Sequence, residues 1–406
     1  MLYDVIVIGG GGAGMIASIT AKTTNQNVLL LDKLPSLGVK LKATGGGKCN
    51  LTNKLSQNEF IDKFGKNGRF IRDALSQFNS NDLIKFLLDI GVETTSLDGF
   101  RVFPTSRNSQ TVLNAFIKEL YRLEIDIKLN QLVTKIDKKD NIFQITTNQN
   151  SFNSKNIIIA SGGLGFSSLG ADINGYKLIE DIGHKITPLY PAMKPLSTIE
   201  SWVSNCRADT ISQVEIRVDI KKHKKLKAKG DLIFTQNGIR GPLILDFARE
   251  LTPLIAKYGK VPILLNFIKG KNEEDIRVYL KNSQKDKTIL EIISNLIPKS
   301  VVIEILKLSN IDIDIRYNQI SGYNRDILIK NLVWTPLTII DNNYFKDAMV
   351  TRGGVSLKEI NPKTMGSKKI DGVYFAGEVI DIDGPCGGYN LQWAFSSGVL
   401  AGRLLK

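Results

Sequence analysis

Two glycine-rich segments, one near each end of the 406-residue chain, carry the residues best suited to hold a large ligand. The first, DVIVIGGGGAGMIA, covers 4–17, and the second, GVYFAGEVIDIDGPCGGYNLQWAFSSG, covers 372–398. Each has the order apolar strand, glycine turn and helix. A single nucleotide site explains only the first segment, whereas one flavin dinucleotide stretched between the two segments explains both.

The first segment fits the dinucleotide fingerprint G-x-G-x-x-G after an apolar run at 5–8. Its first glycine permits a tight turn, its second lets the backbone approach a pyrophosphate, and its third lets the helix pack closely on the strand. Unpaired amides and the dipole at the start of that helix favour an anion. The predicted contacts are Gly9, Gly11, Gly12, Ala13 and Gly14.

A second apolar run, 28–31, ends at Asp32, about 20 residues after the glycines, where a carboxylate is expected to accept the ribose hydroxyls. An acid at this position suits an unphosphorylated ribose, as in FAD or NAD. We include the neighbouring Lys33 among the predicted cofactor contacts.

A further apolar strand, 156–160, runs into Ser161 and two glycines. Paired glycines return the chain to the cofactor without a side chain in the way, although an ordinary glycine turn stays open as an alternative. From this part of the chain we predict cofactor contacts at Val133, Ala160, Gly162 and Gly163.

The amino-acid composition limits which class of protein this chain can belong to. With 42% hydrophobic and 23% charged residues, the chain is expected to form two or three globular domains. The N-terminal apolar run has no basic segment before it, which predicts neither a signal peptide nor a membrane span. Three cysteines without C-x-x-C spacing and two histidines outside any motif predict a cytoplasmic protein with no disulfide framework and no metal site.

The chain is basic, with 54 Lys and Arg against 40 Asp and Glu and a net charge of +14. The densest run is KKHKKLKAKG at 221–230. We favour a solvated loop for this run, and the alternative is a patch for nucleic acid or another anionic surface. The excess charge also favours the approach of anionic cofactors and substrates.

Strands and helices alternate up to about position 188, whereas short β-branched runs dominate from 189 to 350. Helical spacing of apolar residues over 272–309 interrupts those runs. We therefore predict an α/β, Rossmann-like domain that a β-rich insert with a small helical subdomain interrupts. The predicted bounds are 1–188 with 351–406 for the first domain, 189–270 with 325–350 for the insert, and 271–324 for the helical subdomain.

Four motifs in order resemble the bacterial YhiN/BaiN-like NAD(P)/FAD-dependent flavoprotein family. They are the N-terminal glycine motif, TGGGKCNLTN at 44–53, VTRGGVSLKEINPKTM at 350–365 and FAGEVIDIDGPCGGYNLQWA at 375–394. The resemblance implies a two-dinucleotide-type FAD fold interrupted by a β-barrel-like domain and a small helical domain. It also implies an NAD(P)/FAD-dependent oxidoreductase whose substrate is poorly defined across the family.

The resemblance assigns further cofactor contacts near the C-terminal end. Gly377 and Glu378 correspond to the pair at the end of the last flavin strand, near the ribityl or pyrophosphate region. The start of the final helix is expected to face the flavin's pyrimidine edge, where amides stabilise negative charge on reduced flavin. The residues at that helix start are Asn390, Leu391 and Gln392.

By the same resemblance, the loop at 44–53 lies along the cofactor, with bare backbone, a cation, a thiol and an amide. Its predicted contacts, together with a second cation upstream, are Lys40, Gly45, Gly46, Gly47, Lys48, Cys49 and Asn50. The catalytic candidates are Cys49, Asn50, Cys386 and Tyr389. We favour the interpretation that Cys49 and Cys386 are small loop cysteines without a redox role. The alternative is a redox dithiol formed by the two.

These observations predict a non-covalent FAD enzyme that transfers a hydride between NAD(P)H, a transient co-substrate, and an unsaturated or carbonyl-bearing small molecule. No second complete G-x-G-x-x-G follows the strand at 156–160, which argues against a dedicated nicotinamide domain. The alternatives are a flavin-dependent oxidase without nicotinamide, an RNA-associated flavoprotein, and a non-catalytic flavin-binding module.

Overall fold

A computed structural model describes residues 1–284, 286–340 and 345–405. The chain divides into two compact units. Unit 1 contains Met1–Tyr190 and Val350–Lys406, and unit 2 contains Pro191–Met349. The second unit therefore interrupts the first along the chain, as the predicted fold class requires, whereas the exact bounds of three domains stay a prediction.

The strands are β1 (Leu2–Ile8), β2 (Val28–Leu31), β3 (Thr52–Asn53), β4 (Thr94–Thr95), β5 (Arg101–Pro104), β6 (Asp126–Lys128), β7 (Val133–Lys139), β8 (Ile142–Thr147), β9 (Ser151–Ile159), β10 (Tyr190–Ala192), β11 (Leu196–Thr198), β12 (Thr210–Val218), β13 (Lys227–Thr235), β14 (Gly238–Arg240), β15 (Val261–Asn266), β16 (Thr335–Ile340), β17 (Val350–Arg352) and β18 (Val373–Phe375).

The helices are α1 (Gly12–Thr23), α2 (Val39–Ala43), α3 (Gln57–Asp62), α4 (Gly68–Gln77), α5 (Ser80–Asp89), α6 (Ser109–Arg122), α7 (Asn174–Asp181), α8 (Pro242–Tyr258), α9 (Glu273–Lys281), α10 (Ile289–Ser294), α11 (Lys299–Leu308), α12 (Gly322–Val333) and α13 (Tyr389–Gly402). Across the described part of the chain, none of them is long and apolar enough to cross a membrane.

The main sheet of unit 1 has seven strands, in the order β6-β2-β1-β9-β8-β7, with β18 also paired to β9. The strands β6, β2, β1, β9 and β18 are parallel, and β8 and β7 continue the sheet antiparallel. Their register aligns Leu31, Ile8, Ile159 and Phe375 in one row. The residues that follow these four strands therefore emerge side by side at one sheet edge, where open α/β sheets bind ligands.

The sequence of the central strands explains their position. In β1, Val5, Ile6 and Val7 are fully buried, and the last three residues of β9, 157–159, are buried isoleucines. Continuous β-branched runs of this kind suit parallel strands that are covered on both faces. The buried strands β1 and β9 therefore form the centre of the sheet, and β1 leads into the glycine turn.

Helix α13, near the C-terminus, packs closely against α1, near the N-terminus. A methyl group placed on Gly398 would lie 2.5 Å from Cγ2 of Ile16 and 2.6 Å from the carbonyl oxygen of Ala13. One turn later, a methyl group on Gly402 would lie 2.6 Å from the carbonyl oxygen of Ala17. Glycine at these positions lets the two backbones approach, and α13 is buried along most of its length.

Unit 2 contains a closed six-stranded antiparallel barrel in the order β11-β14-β13-β12-β15-β16. Alternate residues of β12, among them Val214, Ile216 and Val218, are buried. Closure leaves no unpaired edge along the barrel, which removes a site for unwanted strand pairing. The barrel confirms the predicted barrel-like insert.

The helices of unit 2 depart from the predicted pattern in two places. Helix α8 has 17 residues within a stretch that was predicted to be β-rich, and it begins at Pro242 and ends before Gly259. Proline at the first helical position and glycine after the last are ordinary helix signals. Helix α12 continues past position 324 to Val333 because Leu328, Ile329 and Leu332 form a buried helical stripe.

The close approach of α13 and α1 gives a testable expectation. We expect Gly398→Ala to destabilise the protein by about 1–3 kcal/mol, the usual cost of overpacking. The control is Gly322→Ala at the start of α12, where a methyl group would meet no atom within 4 Å, so its effect should be neutral or slightly stabilising. Calorimetric unfolding of both variants measures the difference. Equal unfolding temperatures would show that the helices can separate without cost.

Candidate functional site

Two of the three fingerprint glycines are required by contacts within the protein. Gly9 follows β1 with φ of 109°, and a methyl group on it would lie 2.8 Å from the carbonyl carbon of Ala160. A methyl group on Gly14 would collide with the carbonyl oxygen of Gly9. These two glycines therefore let α1 start directly against the ends of β1 and β9.

The remaining fingerprint glycine, Gly11, is not required by contacts within the protein. Gly11 has φ of −76°, which any residue can adopt, and a methyl group on it would meet no protein atom within 4 Å. It is the N-cap of α1, where the described residues supply neither a capping side chain nor an acid in the first turn. The amides of Gly12 and Ala13 thus begin a helix whose N-terminus is open to an anion, and this arrangement fits a diphosphate.

Asp32 lies beside this turn. Its Oδ2 accepts a hydrogen bond from the Gly10 amide at 2.6 Å, and its Oδ1 accepts one from the Leu34 amide at 2.7 Å. Burial raises the pKa of the Asp32 carboxyl, and the two amide hydrogen bonds oppose that rise. Each oxygen keeps a lone pair, so the carboxylate can also accept hydroxyl donors such as those of a ribose.

A cleft of about 820 Å³, counting its open mouth, joins the turn and Asp32 to the following strands. Among the predicted contacts, the cleft lining includes Gly9, Gly11, Asp32, Lys33, Lys40, Val133, Ala160 and Gly162. Other residues of the lining were not among the predicted contacts, including Gln131, Gly170, Asp172 and Asn174. The Lys33 ammonium pairs with Asp172, and Asn174 donates to the Val133 carbonyl at 2.8 Å.

A charged cluster connects four segments of the chain at the edge of this region. The Lys40 ammonium donates to the Gly163 carbonyl at 2.6 Å and lies 3.9 Å from the Glu378 carboxylate. Glu378 accepts from the amide of Thr351 at 2.8 Å, and the Thr351 hydroxyl accepts from the Leu164 amide at 2.7 Å. Lys40, Gly163 and Glu378 were predicted as cofactor contacts, whereas Thr351 was not, although it lies in the family motif at 350–365.

The two glycine-rich segments meet at Gly377. A methyl group on Gly377 would lie 2.8 Å from Cβ of Ala13, so the last flavin-type segment touches the first turn of α1. The Gly377 amide donates to the Ser397 hydroxyl at 2.9 Å, and the Trp393 indole donates to the Gly377 carbonyl at 3.3 Å. Contact between the segments is what a ligand shared by both requires.

The loop at 44–50 contains a run of left-handed backbone. Gly45, Gly46 and Gly47 have φ between 58° and 82°, and methyl groups on the last two would meet no atom within 4 Å. Lys48 is exposed, and Cys49 is buried with φ of 59°. The loop therefore offers bare backbone and one solvent-facing cation.

This loop packs against the loop before α13. With its amide oriented to satisfy both partners, Asn50 donates to the Thr52 carbonyl at 3.3 Å and accepts from the Gly388 amide at 3.2 Å. Asn53 donates to the Gly387 carbonyl at 2.9 Å. The structure thus brings together the second and fourth family motifs, as a common cofactor would need.

Several predicted residues near α13 have structural contacts. Asn390 both donates to and accepts from the backbone of Gly384, at 2.9 and 2.8 Å, and so closes the loop before the helix. Gln392 is fully buried and donates to the Phe78 carbonyl at 3.1 Å, while Leu391 is partly buried against the core. The helix itself begins after Gly388 and has neither a capping side chain nor an acid in its first turn among the described residues.

The catalytic candidates differ in accessibility. Tyr389 is buried in an aromatic cluster, with its ring centroid 4.8 Å from that of Phe60 and 6.1 Å from that of Phe64. Cys49 is fully buried, and burial raises the pKa of its thiol to about 11. Cys386 is half-buried, and neither cysteine is in a disulfide. A protonated, buried Cys49 is poorly suited to thiol exchange, which weakens the redox-dithiol alternative.

Comparison with protein families gives one match that covers almost the whole chain. The family model described as HI0933-like protein Rossmann domain matches residues 3–404. This match confirms the family resemblance drawn from the four motifs.

Two relatives of known activity cover nearly the full length. The chain is 30% identical over 403 residues to the 3-dehydro-bile acid delta(4,6)-reductase of Clostridium scindens, covering 98% of this chain and 97% of the relative. It is 27% identical over 395 residues to the ribosomal RNA dihydrouridine synthase of Escherichia coli, covering 97% of this chain and 96% of that relative.

A solved structure shows the same fold. The open conformation of a flavocytochrome c3 fumarate reductase aligns with a TM-score of 0.52 and 19% identity, over 99% of this chain and 77% of that one. The likeness confirms the Rossmann-type fold with its insert. Family and fold together support FAD as the cofactor.

The contrast between Gly11 and Gly14 can be tested directly. We expect Gly11→Val to fold with an unchanged apoprotein melting temperature but to bind FAD at least about 100-fold more weakly, or ~2.8 kcal/mol, because the side chain enters the space for the pyrophosphate. Gly14→Ala should lose both folding stability and FAD. Calorimetry of the apoproteins and FAD titration by fluorescence separate the two effects. Normal FAD affinity in Gly11→Val would contradict the assigned position of the diphosphate.

The accessibility of the three cysteine thiols can also be tested. Iodoacetamide at pH 8 should alkylate Cys386 well before Cys49 and Cys206, because both of these are buried and burial raises their thiol pKa values to about 11 and 12. Peptide mass spectrometry over a time course measures the order. Rapid labelling of Cys49 would show a reactive thiolate and revive the dithiol hypothesis.

Proposed function

This chain belongs to the HI0933-like family, and we propose that it is an FAD-dependent reductase that saturates a carbon–carbon double bond conjugated to a carbonyl group. FAD-dependent oxidoreductase chemistry follows from the family. The type of bond, the electron donor and the roles of individual residues are parts of the proposal.

One observation carries the choice of bond. Two relatives that align over nearly the whole chain have names that denote reduction of a double bond, one in a 3-oxo bile acid and the other in uridine. In both compounds the double bond is conjugated to a carbonyl. A hydride added to the far carbon places the negative charge on the carbonyl oxygen, and a proton added to the near carbon completes the reduction.

We assign FAD to the cleft and loops of unit 1. Gly11 and the open start of α1 would hold the diphosphate, and Asp32 would accept hydrogen bonds from the adenosine ribose. When bound, FAD stores two electrons and delivers them as a hydride. The amides at the start of α13 would favour negative charge on the pyrimidine end, because that helix N-terminus has no acidic neighbour in its first turn.

The remaining predicted contacts have supporting roles in this proposal. Lys40 holds Glu378 and the Gly163 carbonyl in place, so these three residues position the segments around the cofactor. Lys48 is exposed and can approach an anionic group, although a lysine lacks the bidentate fork of an arginine. Among the catalytic candidates, Cys386 is the first to test as proton donor, because Cys49 and Tyr389 are buried.

We propose NADH or NADPH as the electron donor. The chain contains one complete G-x-G-x-x-G, at 9–14, and this motif is already assigned to FAD. The nicotinamide and the substrate would then visit the flavin in turn rather than occupy separate domains. The net charge of +14 favours the approach of an anionic dinucleotide.

A uridine in RNA is the second candidate substrate. It is supported by the ribosomal RNA dihydrouridine synthases of Escherichia coli and Haemophilus influenzae, which are both 27% identical to this chain over nearly its full length. The basic composition is compatible with a polyanionic substrate. A small unsaturated carbonyl compound and RNA differ in size and charge, so one set of assays can separate them.

Electron donation is tested by anaerobic mixing. NADH or NADPH should bleach the flavin absorbance slowly, and the rate should fall as salt increases because ions screen the attraction between the basic protein and the dinucleotide. Stopped-flow spectroscopy at the flavin band measures this rate over a KCl series. Bleaching by dithionite but by neither nucleotide would favour an oxidase or a non-catalytic flavin module.

Substrate class is tested with the reduced enzyme. A conjugated oxosteroid and a ribosomal RNA transcript are added separately, and mass spectrometry looks for the gain of two hydrogens. We expect one of them to reoxidise the flavin anaerobically, and Cys386→Ser to slow this step while leaving flavin reduction by NAD(P)H unchanged. Failure of both substrates to accept electrons would overturn the proposed bond type.

A further inference from the structure

A group of exposed lysines lies on the hairpin between β12 and β13 of the barrel. We call it the basic patch and define it by Lys221, Lys222, Lys224, Lys225 and Lys227, which are all exposed. Within the described ranges, none of the five takes part in an ion pair, and the neighbouring acid is Asp219. Five uncompensated cations in seven positions create a strong local positive potential.

The fold adds an aromatic residue and two more cations to the patch. The imidazole of His223 lies 3.1 Å from the Tyr258 hydroxyl, with the ring centroids 5.8 Å apart. This contact joins the hairpin to the end of α8, where Lys257 and Lys260 are also exposed. Tyr258 remains 38% exposed, with the Lys257 ammonium 5.1 Å from its ring centroid, so part of the ring is accessible among the lysines. The sequence alone did not indicate this, because Tyr258 lies far from the lysine run.

The strand pairing at the base of the hairpin also concentrates positive charge. Arg217 of β12 lies directly opposite Lys227 of β13, and like charges in this position are destabilising. The Arg217 guanidinium stacks on the Trp334 ring, 3.5 Å from its centroid. Nearer the other end of the strands, Lys229 has a carboxylate partner, Glu215, at 3.5 Å. The positive charge is therefore left unbalanced toward the hairpin tip.

We propose that the basic patch, with Tyr258, is a binding surface for RNA. Lysines in this arrangement contact successive phosphates, and an exposed tyrosine ring stacks on an unpaired base. A membrane surface fits less well, because Ile220 and Leu226, the apolar residues of the hairpin, pack against the core of unit 2 and offer no anchor for lipid. The inference rests on the uridine alternative for the substrate and names the surface that would hold that RNA.

The test uses the full chain loaded with FAD and a fluorescein-labelled single-stranded oligouridine as probe. Fluorescence anisotropy measures binding over a KCl series for the wild type and a quadruple variant, K221Q/K222Q/K224Q/K225Q. We expect about 10- to 100-fold weaker binding at moderate salt, and a slope of log affinity against log salt that is smaller in magnitude by about 3 if each lysine contacts one phosphate. Tyr258→Ala should weaken binding at least about 5-fold with the slope unchanged.

Matched variants keep the result interpretable. The control variant K281Q/K287Q/K299Q/K330Q removes four exposed lysines from the helical part of the same unit. It lowers the net charge by the same amount as the patch variant, and its RNA binding should stay within about 2-fold of the wild type. The quadruple Lys→Arg variant at 221, 222, 224 and 225 keeps the charge and should retain binding. Equal weakening in the control variant, or loss of binding in the arginine variant, would overturn the proposal.

Vesicle binding and flavin bleaching distinguish failure of the RNA surface from failure of the proposed electron donor. Vesicles containing phosphatidylserine are tested by co-sedimentation, and binding to vesicles without binding to the oligouridine would replace RNA by a lipid surface. Flavin bleaching by NAD(P)H is measured in every variant, and it should change no more in the patch variant than in the control variant of equal net charge. If bleaching fails in the wild type while patch-dependent RNA binding persists, the electron donor is wrong and the RNA surface stands; the opposite pattern removes the surface and leaves the reductase.

Discussion

The close packing of Gly14 against the carbonyl of Gly9 is the constraint on which the first unit depends. It holds the start of α1 at the end of β1, beside the ends of β2, β9 and β18. Ala13, one residue earlier, contacts both Gly377 and Gly398, so α13 and the last strand take their positions from the same turn. A side chain at Gly377 or Gly398 would separate elements that come from opposite ends of the chain. Gly11 is the exception, because a methyl group on it would meet no protein atom within 4 Å, and that difference separates the packing glycines from the one proposed to face the diphosphate.

Charge is distributed differently in the two units. In unit 1, the charged groups near the site are held by specific partners. Asp32 accepts hydrogen bonds from two backbone amides, and Lys40 lies between Glu378 and the Gly163 carbonyl. Such groups have little freedom to reorient, which suits a site that must already be in place when its ligand arrives. In unit 2, the lysines of the barrel hairpin are exposed. Long mobile cations suit a partner whose phosphates vary in position.

The sequence was sufficient for features that have a local signal. The buried runs of β1 and β9, the glycine turn and Asp32 are each recognisable from residue type and spacing, and the motifs near both ends identified the family. Features that depend on distant contacts were not recognisable. Thr351 is placed by Glu378, and Tyr258 by His223, and neither contact leaves a pattern along the chain. Helix α8 was missed although Pro242 and Gly259 mark its ends, because β-branched runs on both sides favoured strands.

The pairing of β18 with β9 has a consequence for how the protein is made. Val373 lies beside Ile157 in the sheet, yet the whole of unit 2 is synthesised between them. The barrel unit is continuous along the chain and can fold while it leaves the ribosome, whereas the sheet of unit 1 must wait with β9 exposed on one side until the last strand and α13 are translated. During that interval a hydrophobic parallel strand is available for wrong partners. Synthesis rate and chaperone supply should therefore affect the yield of this protein.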